Sequence, residues 1–349
     1  MQQPGLHTRP LAALLLSDGK PGHYHLAEGV LAAVARLRPV ETQRLTLRRR
    51  RWVPARVLYR LINRGAPPAL VLRLGYGVGA SALPAADLVV SAGGETLAAN
   101  AATARLLGAP NIFCGRIRRL DPAHMRLVIA WLEKYAALPN HLLALPPSPF
   151  EVAPRAQERV GPGNPPRLAG ALIGGNSGSV RYTAQDWAQL VGFLRRSHRD
   201  SGTRWLVTTS RRSGLEITGA LAALAAEEGG PIERFIDYRV AGPGTLGQIL
   251  GAVQAVLVTA DSSSMITDAV GARLPVVGLV CDHGTMEQGE AEFRKLMVRR
   301  GWYRPLGFAE LRPETFLDAL GAVTPRTTSA IDDLAAELRQ RLPELFREP

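Results

Sequence analysis

The chain has 349 residues and a hydrophobic content of 46%, which suits two ordinary globular domains, and no apolar run approaches the roughly 18–20 residues that a membrane span needs. The net charge of +12 lies entirely in the first half, because residues 1–160 hold 21 Lys and Arg against 9 Asp and Glu, whereas residues 161–349 hold 21 of each. This asymmetry predicts two domains with different partners, and an anionic partner for the first domain.

The first predicted elements are a strand at residues 11–16 and a helix at residues 24–37, joined by the glycine-rich loop SDGKPGH. The loop matches neither the Walker A pattern nor the GxGxxG pattern. It places Asp18 and His23 near a helix start, and His23 is the natural candidate for a general base because histidine titrates near neutral pH. His25 is the alternative candidate.

The same loop contains Gly19, Lys20 and Gly22. Its backbone N–H groups and its lysine suit a ligand at the helix start. The alternative without a ligand is a strained turn that needs the two glycines.

A basic segment runs from Arg48 to Arg64, after a second strand predicted at residues 41–47. Its arginines at helical spacing, with Trp52 and aliphatic residues between them, are Arg49, Arg56, Arg60 and Arg64. A basic, aromatic-bearing amphipathic segment favours the anionic headgroups of a membrane surface. The alternatives are a solvated helix face and a nucleic acid; the sequence has no recognised nucleic-acid motif, so we expect no nucleic-acid partner.

A second junction of strand, glycines and helix follows in the first half. The glycine-rich residues 75–79 follow only a weak strand and indicate a flexible connection. A better strand at residues 87–91 ends in Gly93, Gly94 and Glu95, and a helix continues to residue 107. The first domain therefore has at least two loops at one edge of its sheet.

The domain organisation follows from composition. Residues 151–166 are rich in proline and glycine and predict a linker between a first domain at residues 1–150 and a second at residues 167–325. Residues 326–349 predict a terminal helix that packs back on the first domain. The two cysteines, far apart in sequence, predict two buried thiols, with neither a disulfide framework nor metal-ligand spacing.

The second half alternates strands and helices, with small or polar residues after successive strands. After the first strand these residues are Gly174, Gly175, Asn176, Ser177 and Gly178, and after the second strand they are Ser210 and Arg211. Alternation of this kind predicts a doubly wound, Rossmann-like domain, in which ligands bind at the carboxyl ends of the strands.

The stretch from Val256 to Pro275 combines these signals. An apolar strand meets Asp261 and three serines, and a helix follows from Met265. The serines are Ser262, Ser263 and Ser264. Hydroxyls and free N–H groups at a helix N-terminus suit a phosphate. The alternative is a serine N-cap with no ligand.

Two Rossmann-like halves with a linker resemble the GT-B glycosyltransferase architecture, in which the domains face a cleft. The second half resembles the peptidoglycan glycosyltransferase that adds N-acetylglucosamine to a lipid-linked muramyl peptide, through the loop at residues 261–264, Asp268 and, seven residues later, Pro275. The resemblance implies that Asp268 binds the nucleotide ribose, although that family usually has glutamate there. In the first half, the loop ending at His23 resembles a loop of that family whose histidine lies by the acceptor.

Across most of the chain, SDGKPGH and TADSSSMITDA resemble the two signatures of the mitochondrial-fission ("elongated mitochondria") family, which also occurs in proteobacteria. The resemblance implies a GT-B glycosyltransferase, linked in some bacteria to lipopolysaccharide core assembly. Plant members of that family are known as adaptors that recruit a fission dynamin, and bacterial members have also carried a predicted nucleotide-sugar epimerase label.

The resemblance implies a metal-independent glycosyltransferase without a cofactor. His23 and Asp18 would be catalytic. The donor would be bound by Gly174, Gly175, Asn176, Ser177, Gly178, Ser210, Arg211, Asp261, Ser262, Ser263, Ser264, Met265 and Asp268, with Arg211 or Arg212 supplying positive charge. The acceptor would be bound by Gly19, Lys20, Gly22, Gly93, Gly94 and Glu95.

The expected partners are a nucleotide sugar, a lipid-linked or lipopolysaccharide acceptor, and an anionic membrane surface that meets Arg48 to Arg64. The expected location is cytoplasmic, peripheral on the inner face of the cell membrane. One alternative is a nucleotide-sugar 2-epimerase of GT-B fold, which would not need the basic segment. The other is a non-catalytic adaptor, which would not need the glycine loops and the serine cluster.

Overall fold

The computed structural model describes residues 9–131, 133–138, 140–145, 149, 159–178, 180–242, 244–281 and 285–346. The chain divides into two compact units. Unit 1 comprises residues 1–149 and 330–349, and unit 2 comprises residues 150–329. The first eight residues of the predicted linker lie outside the described residues.

Twelve strands and twelve α-helices are found in the described chain. The strands are β1 Leu11–Ser17, β2 Val40–Thr46, β3 Leu88–Ala92, β4 Asn111–Cys114, β5 Leu127–Ala130, β6 His141–Leu143, β7 Leu168–Leu172, β8 Arg204–Thr208, β9 Ile232–Ile236, β10 Ala255–Thr259, β11 Val276–Val280 and β12 Tyr303–Gly307. The helices are α1 Pro21–Ala35, α2 Ala55–Asn63, α3 Pro68–Tyr76, α4 Leu97–Leu107, α5 Ala184–Ser201, α6 Leu215–Ala225, α7 Tyr238–Ala241, α8 Leu246–Ala252, α9 Ser263–Gly271, α10 Gln288–Arg299, α11 Pro313–Gly321 and α12 Ala330–Arg341.

Unit 1 is built on a six-stranded parallel sheet with the strand order β2-β1-β3-β4-β5-β6. The central strands β1, β3, β4 and β5 are buried and mostly apolar because helices cover both faces. Leu14 and Leu16 of β1 pack in the core with α2, α3 and α4, whereas Leu15 packs in the other core with α1 and α12. The strand order reverses between β1 and β3, so a ligand site is expected where these two strands end.

The terminal helix α12 belongs to unit 1 although its sequence follows unit 2. Ile331, Leu334 and Leu338 lie three or four residues apart, which puts them on one face of the helix. They are buried in the same core as Val30 and Val34 of α1.

Unit 2 is built on a second six-stranded parallel sheet, with the strand order β12-β11-β10-β7-β8-β9. Its core includes Phe193, Trp205 and Phe316, whose ring centroids lie 5.3–5.7 Å apart. The strand order reverses between β7 and β10, so the loops that follow these two strands meet at the expected ligand position.

The predicted strand ahead of residues 75–79 is wrong, because α3 covers Pro68–Tyr76. Its buried residues Val71, Leu72, Gly75 and Tyr76 have helical spacing. Gly77 has φ +71° and ends the helix in the left-handed conformation, which glycine adopts without strain.

The basic segment is helical only from Ala55 onwards. Pro54, the N-cap residue of α2, disfavours the α conformation for the residue before it, which accounts for the start of the helix at Ala55. The expectation of a second buried thiol is also wrong: Cys114 is buried, but Cys281 is only half-buried. Within the described residues, no helix is both long and apolar enough to cross a bilayer.

Candidate functional site

The loop after β1 brings Asp18 and His23 together. The Asp18 carboxylate accepts a hydrogen bond from the Lys20 backbone N–H at 3.1 Å and lies 2.8 Å from Nδ1 of His23 and 3.3 Å from Nζ of Lys20. The Asp18 side chain is 4% exposed and that of His23 is 35% exposed. A buried carboxylate therefore orients a histidine whose ring reaches solvent.

The protonation state of Asp18 suits this role. Burial by itself raises the pKa of Asp18, but the hydrogen bond and charge of His23, together with the contacts of Lys20, outweigh it and hold the pKa below its usual range. Asp18 is therefore anionic at neutral pH and stabilises a positive charge on His23.

The two glycines of the loop after β1 lie in different structural elements. Gly19 has φ +78° and makes the turn, and its N–H donates to the Ser17 hydroxyl at 3.0 Å. Lys20 is the N-cap residue of α1, and Gly22 lies in its first turn beside Pro21. The turn thus needs a glycine at position 19, as the ligand-free alternative expects, and it also holds Asp18 against His23.

The loop after β3 closes on the same histidine. Gly93 has φ +86°, and a Cβ at this position would lie 2.2 Å from Nδ1 of His23. Only glycine allows this approach of the two loops, which follow the strands β1 and β3 on either side of the reversal in strand order.

The next two residues of this loop are fixed by the basic segment and α3. Tyr59 donates to the Gly94 carbonyl at 3.2 Å, and Tyr76 donates to the Glu95 carbonyl at 2.8 Å. Arg49 binds the Glu95 carboxylate through Nε and Nη2, each at 3.1 Å. Arg49 therefore stabilises the loop and does not belong to the outward basic surface.

His25 has a different environment from His23. It is buried in α1, with the ring of Tyr24 at 4.8 Å between centroids. Burial, and to a smaller extent the positive charge of Arg44, lowers the pKa of His25 to about 4. His25 is therefore neutral and enclosed at neutral pH, and the geometry favours His23 as the base.

In unit 2, Asp261 joins the loops at the reversal of strand order. Its carboxylate accepts hydrogen bonds from Arg212 Nε at 3.1 Å and Nη2 at 2.6 Å, from the Gly175 N–H at 3.2 Å, and from the Tyr182 hydroxyl at 3.1 Å. The Asp261 side chain is 0% exposed. The sequence predicts that the Asp261 carboxylate contacts the nucleotide-sugar donor directly. In this arrangement the carboxylate is enclosed by groups of the protein itself, which prevents such a contact.

The glycines after β7 are required by these contacts. A Cβ at Gly174 would lie 2.2 Å from the Asp261 carboxylate, and one at Gly175 would lie 2.0 Å from the Arg212 carbonyl. Thr259 accepts from the Gly174 N–H at 2.6 Å, and Ser213 donates to the Gly174 carbonyl at 2.7 Å. These side chains come from other strand ends, so local sequence patterns do not reveal them.

The rest of the glycine loop is a tight turn. Ser177 and Val180 exchange backbone hydrogen bonds, and Gly178 has φ +57°. Asn176 accepts from the Tyr182 N–H at 2.9 Å. The turn therefore fixes Tyr182 at the start of α5, from where its hydroxyl reaches Asp261.

The loop after β8 contains Ser210 and Arg211. Ser213 accepts from the Ser210 N–H at 2.9 Å, and the Ser210 hydroxyl accepts from the Arg212 N–H at 3.1 Å. Arg211 is exposed. Of the two arginines at this position, Arg212 is the one that the fold holds in place.

The serine cluster begins α9. Ser262 is the N-cap and its hydroxyl accepts from the Met265 N–H at 3.5 Å, as the ligand-free alternative expects. The N–H groups of Ser263 and Ser264 lie in the first turn, where no intrahelical acceptor exists. Asp268 is 2% exposed, so its carboxylate is enclosed in this conformation and its contact with a ribose stays a prediction.

A second ion pair, Arg294 with Glu290, contacts the start of α9 and was not predicted from the sequence. Arg294 is buried and donates through Nε to the Ala260 carbonyl at 2.9 Å and through Nη1 to the Glu290 carboxylate at 2.8 Å. Ser263 donates to Glu290 and accepts from Arg294 Nη1 at 3.0 Å. The pair anchors the loop between β10 and α9. Among the described residues, no group of three or more His, Cys, Asp or Glu has a metal-binding arrangement.

Comparison with protein families identifies the family to which this chain belongs. The sequence model of the family described as mitochondrial fission ELM1 matches residues 21–342. The chain belongs to the mitochondrial fission ELM1 family. The match includes His23 and the stretch from Asp261 to Asp268, so the predicted family membership is confirmed. No curated protein matches the sequence.

Several solved structures are similar to this chain over nearly its whole length. A proposed UDP-N-acetylglucosamine 2-epimerase from Listeria monocytogenes is 10% identical, with a TM-score of 0.56 over 96% of this chain and 98% of that one. The glycosyltransferase SnogD from Streptomyces nogalater is 14% identical, with a TM-score of 0.52 over 97% and 96%. Acinetobacter baumannii MurG is 12% identical, with a TM-score of 0.49 over 95% and 100%.

These similarities concern the fold. At such identities, a shared fold does not transfer an activity. The predicted α/β fold of GT-B type, with two parallel sheets, is confirmed.

Proposed function

We propose that this ELM1 family member is a glycosyltransferase. It transfers a sugar from a nucleotide-sugar donor to a lipid-linked or lipopolysaccharide-core acceptor at the inner face of the cell membrane. Unit 2 binds the donor and unit 1 activates the acceptor. The sugar transfer that we propose needs no bound metal.

The observation that carries the proposal is the pair of Asp18 and His23. His23 Nδ1 is bound to Asp18 at 2.8 Å, which leaves Nε2 for a substrate proton. In the proposed step, Nε2 takes the proton of the acceptor hydroxyl while the acceptor oxygen forms a bond to the anomeric carbon. The bond from that carbon to the nucleoside diphosphate breaks, and Asp18 stabilises the imidazolium that results.

The donor side supports the same reaction. A departing nucleoside diphosphate gains negative charge, and stabilising that charge is the main electrostatic task. The α9 N-terminus supplies the N–H groups of Ser263 and Ser264, and the loop after β8 supplies Arg211 and Arg212. Oriented N–H groups and guanidinium groups suit phosphate oxygens.

The membrane part of the proposal rests on the surface of α2 and α3. Residues 42–86 contain nine arginines and no Asp or Glu. Arg56, Arg60 and Arg64 are exposed, and Trp52 is 66% exposed. Cations next to an interfacial tryptophan suit anionic lipid headgroups, at about 1 kcal/mol for each cation near the surface.

The first test is a thermal-shift screen with UDP, GDP, CMP, TDP and ADP and their common sugar conjugates. A ligand present at about a hundred times its dissociation constant stabilises the folded state by about 2.7 kcal/mol, which raises the melting temperature by several degrees. Stabilisation by one of these nucleotides that is lost in Ser263→Ala and Asp268→Ala supports the proposal. The absence of any stabilisation contradicts it and favours the adaptor alternative.

Turnover separates a transferase from an epimerase. A transferase consumes the sugar nucleotide in proportion to added acceptor, whereas an epimerase converts it without an acceptor. Conversion of the donor in the absence of an extract of cell-envelope lipids would therefore contradict the proposed transfer.

A further inference from the structure

Asp261 is a buried anion held by three different segments of unit 2. Its donors are Arg212 in the loop after β8, the N–H of Gly175 after β7, and the hydroxyl of Tyr182 before α5. Since the carboxylate is 0% exposed and surrounded by donors of the protein itself, it is not available to a ligand. Its effect on a ligand must act through one of the groups that it holds.

Arg212 is the only one of these groups that combines a full charge with solvent access. Its side chain is 34% exposed, and its contacts with Asp261 use Nε and Nη2. Nη1 makes no hydrogen bond to another residue in the described part of the chain. A guanidinium has five donors in a rigid plane, so fixing one edge directs the opposite edge.

Arg212 lies close to the reversal of strand order, where an anionic ligand is expected to bind. Its carbonyl lies so close to Gly175 that a Cβ there would be 2.0 Å away, which places the arginine against the glycine loop. Its partner Asp261 directly precedes Ser262, the N-cap of α9. The guanidinium is therefore bound to a carboxylate that also accepts from the glycine loop and that directly precedes the serine cluster.

We propose that Arg212 is the cation that binds the diphosphate of the donor, and that Asp261 is a positioning residue that fixes Arg212 before the donor arrives. The inference rests on the proposed function and deepens it. An arginine fixed in advance loses little conformational freedom on binding. The neighbouring Arg211 is exposed and makes no hydrogen bond to another described residue, so it must be ordered by the ligand and contributes less.

The test is a double-mutant cycle on nucleotide affinity, measured by isothermal titration of UDP, GDP, TDP and ADP into the full chain. Arg212→Gln is expected to weaken binding of the preferred nucleotide by about tenfold or more, because a charge-assisted contact is lost. Asp261→Asn is expected to weaken it by about fivefold or more, although removing a negative charge would by electrostatics alone tighten phosphate binding. The double variant is expected to bind no more weakly than Arg212→Gln, because Asp261 acts through Arg212.

Arg204 provides the matched control. It lies at the opposite end of β8, is paired with Glu233 at 3.6 Å, and loses the same charge in Arg204→Gln. This variant is expected to keep the wild-type affinity within about twofold. If Asp261→Asn does not fold, Arg212→Lys keeps both charges but loses the fork, and it is expected to weaken binding by about tenfold.

The possible results separate this inference from the proposed function. The role of Asp261 is overturned if Asp261→Asn binds the nucleotide as tightly as the wild type or more tightly, or if the losses in the cycle are additive. The role of Arg212 is overturned if Arg212→Lys keeps the wild-type affinity, or if Arg211→Gln loses more affinity than Arg212→Gln. None of these results contradicts the proposed function. A wild-type protein that binds none of the nucleotides overturns both this inference and the proposed function.

Discussion

His23 is the residue on which the proposed chemistry depends. Replacing it in His23→Gln removes the group that takes the acceptor proton, and general-base catalysis contributes about 10²–10⁴-fold to a rate. We expect the rate of sugar transfer to fall by that factor at saturating donor, with little change in donor affinity, because the donor contacts lie on unit 2. The measurement is transfer of labelled sugar to cell-envelope lipids, together with titration of the nucleotide. A variant that transfers at the wild-type rate would exclude His23 as the base.

The burial of His25 is expected to make the stability of the folded protein depend on pH. Its pKa is about 4 in the folded state against 6.5 for the free side chain, so the folded state binds the proton more weakly than the unfolded state. Its contribution is therefore fully present above pH 6.5 and is lost as the pH falls towards 4, by up to about 3 kcal/mol. We expect His25→Gln to flatten the fall in melting temperature between pH 6.5 and 4. His124→Gln, which removes a half-buried histidine from the same unit, serves as the control. Equal slopes in wild type and His25→Gln would contradict the assignment.

At the junction of β3 with α4, a single methyl group added at Gly93 is expected to disturb the catalytic pair. Gly93→Ala would place a Cβ 2.2 Å from Nδ1 of His23, in a backbone with φ +86°. We expect it to separate His23 from Asp18 and to reduce transfer at least as much as His23→Gln. Gly108→Ala is the matched control, because Gly108 also has positive φ, at +64°, but in the described part of the chain the added Cβ would have no atom within 4 Å apart from its chain neighbours.

Both substitutions cost about 1 kcal/mol for the left-handed backbone. Only Gly93→Ala also meets the histidine, so melting curves and transfer rates measured on the pair separate the two effects. Equal losses of transfer in Gly93→Ala and Gly108→Ala would show that backbone strain, and not the displacement of His23, is responsible.

At the same scale, elements with strong local signals could be predicted and contacts between loops could not. The strands β1, β7 and β10 are apolar runs that end in small polar residues, and this pattern is visible in the sequence. Residues 70–72 are also apolar, but a short run does not distinguish a strand from a helix, and the spacing of the buried residues Val71 and Gly75 decides for α3.

The strand β12 was missed because it contains Pro305, which only an edge strand tolerates. In the candidate site, the sequence placed Asp18 and His23 in one loop, five positions apart, as candidates for the base, but it did not predict the contact between them. It did not predict that Asp261 is enclosed by Arg212, 49 residues away, or that Arg49 binds Glu95. These pairs are set by strand order, which local patterns do not contain.

For the whole molecule, the charge distribution predicts which part meets a membrane. Unit 1 holds 22 Lys and Arg against 12 Asp and Glu, whereas unit 2 holds 20 against 18. Electrostatic attraction to an anionic bilayer falls off within about 8 Å at physiological ionic strength, so only cations close to the lipid contribute. The exposed arginines of α2 and its C-terminus, in a stretch without carboxylates, meet this condition.

The last prediction compares two triple variants of equal charge. Arg56→Gln, Arg60→Gln and Arg64→Gln together remove three cations from the proposed membrane surface, and Arg195→Gln, Arg199→Gln and Arg204→Gln together remove three exposed cations from unit 2. We expect the first triple to lose most of its binding to vesicles of phosphatidylglycerol and phosphatidylcholine in a sedimentation assay, because each cation near the surface contributes about 1 kcal/mol. The second triple should bind like the wild type, and raising the salt concentration should release both the wild type and the second triple. Equal loss in the two triples would mean that net charge, and not the surface of α2, determines membrane binding.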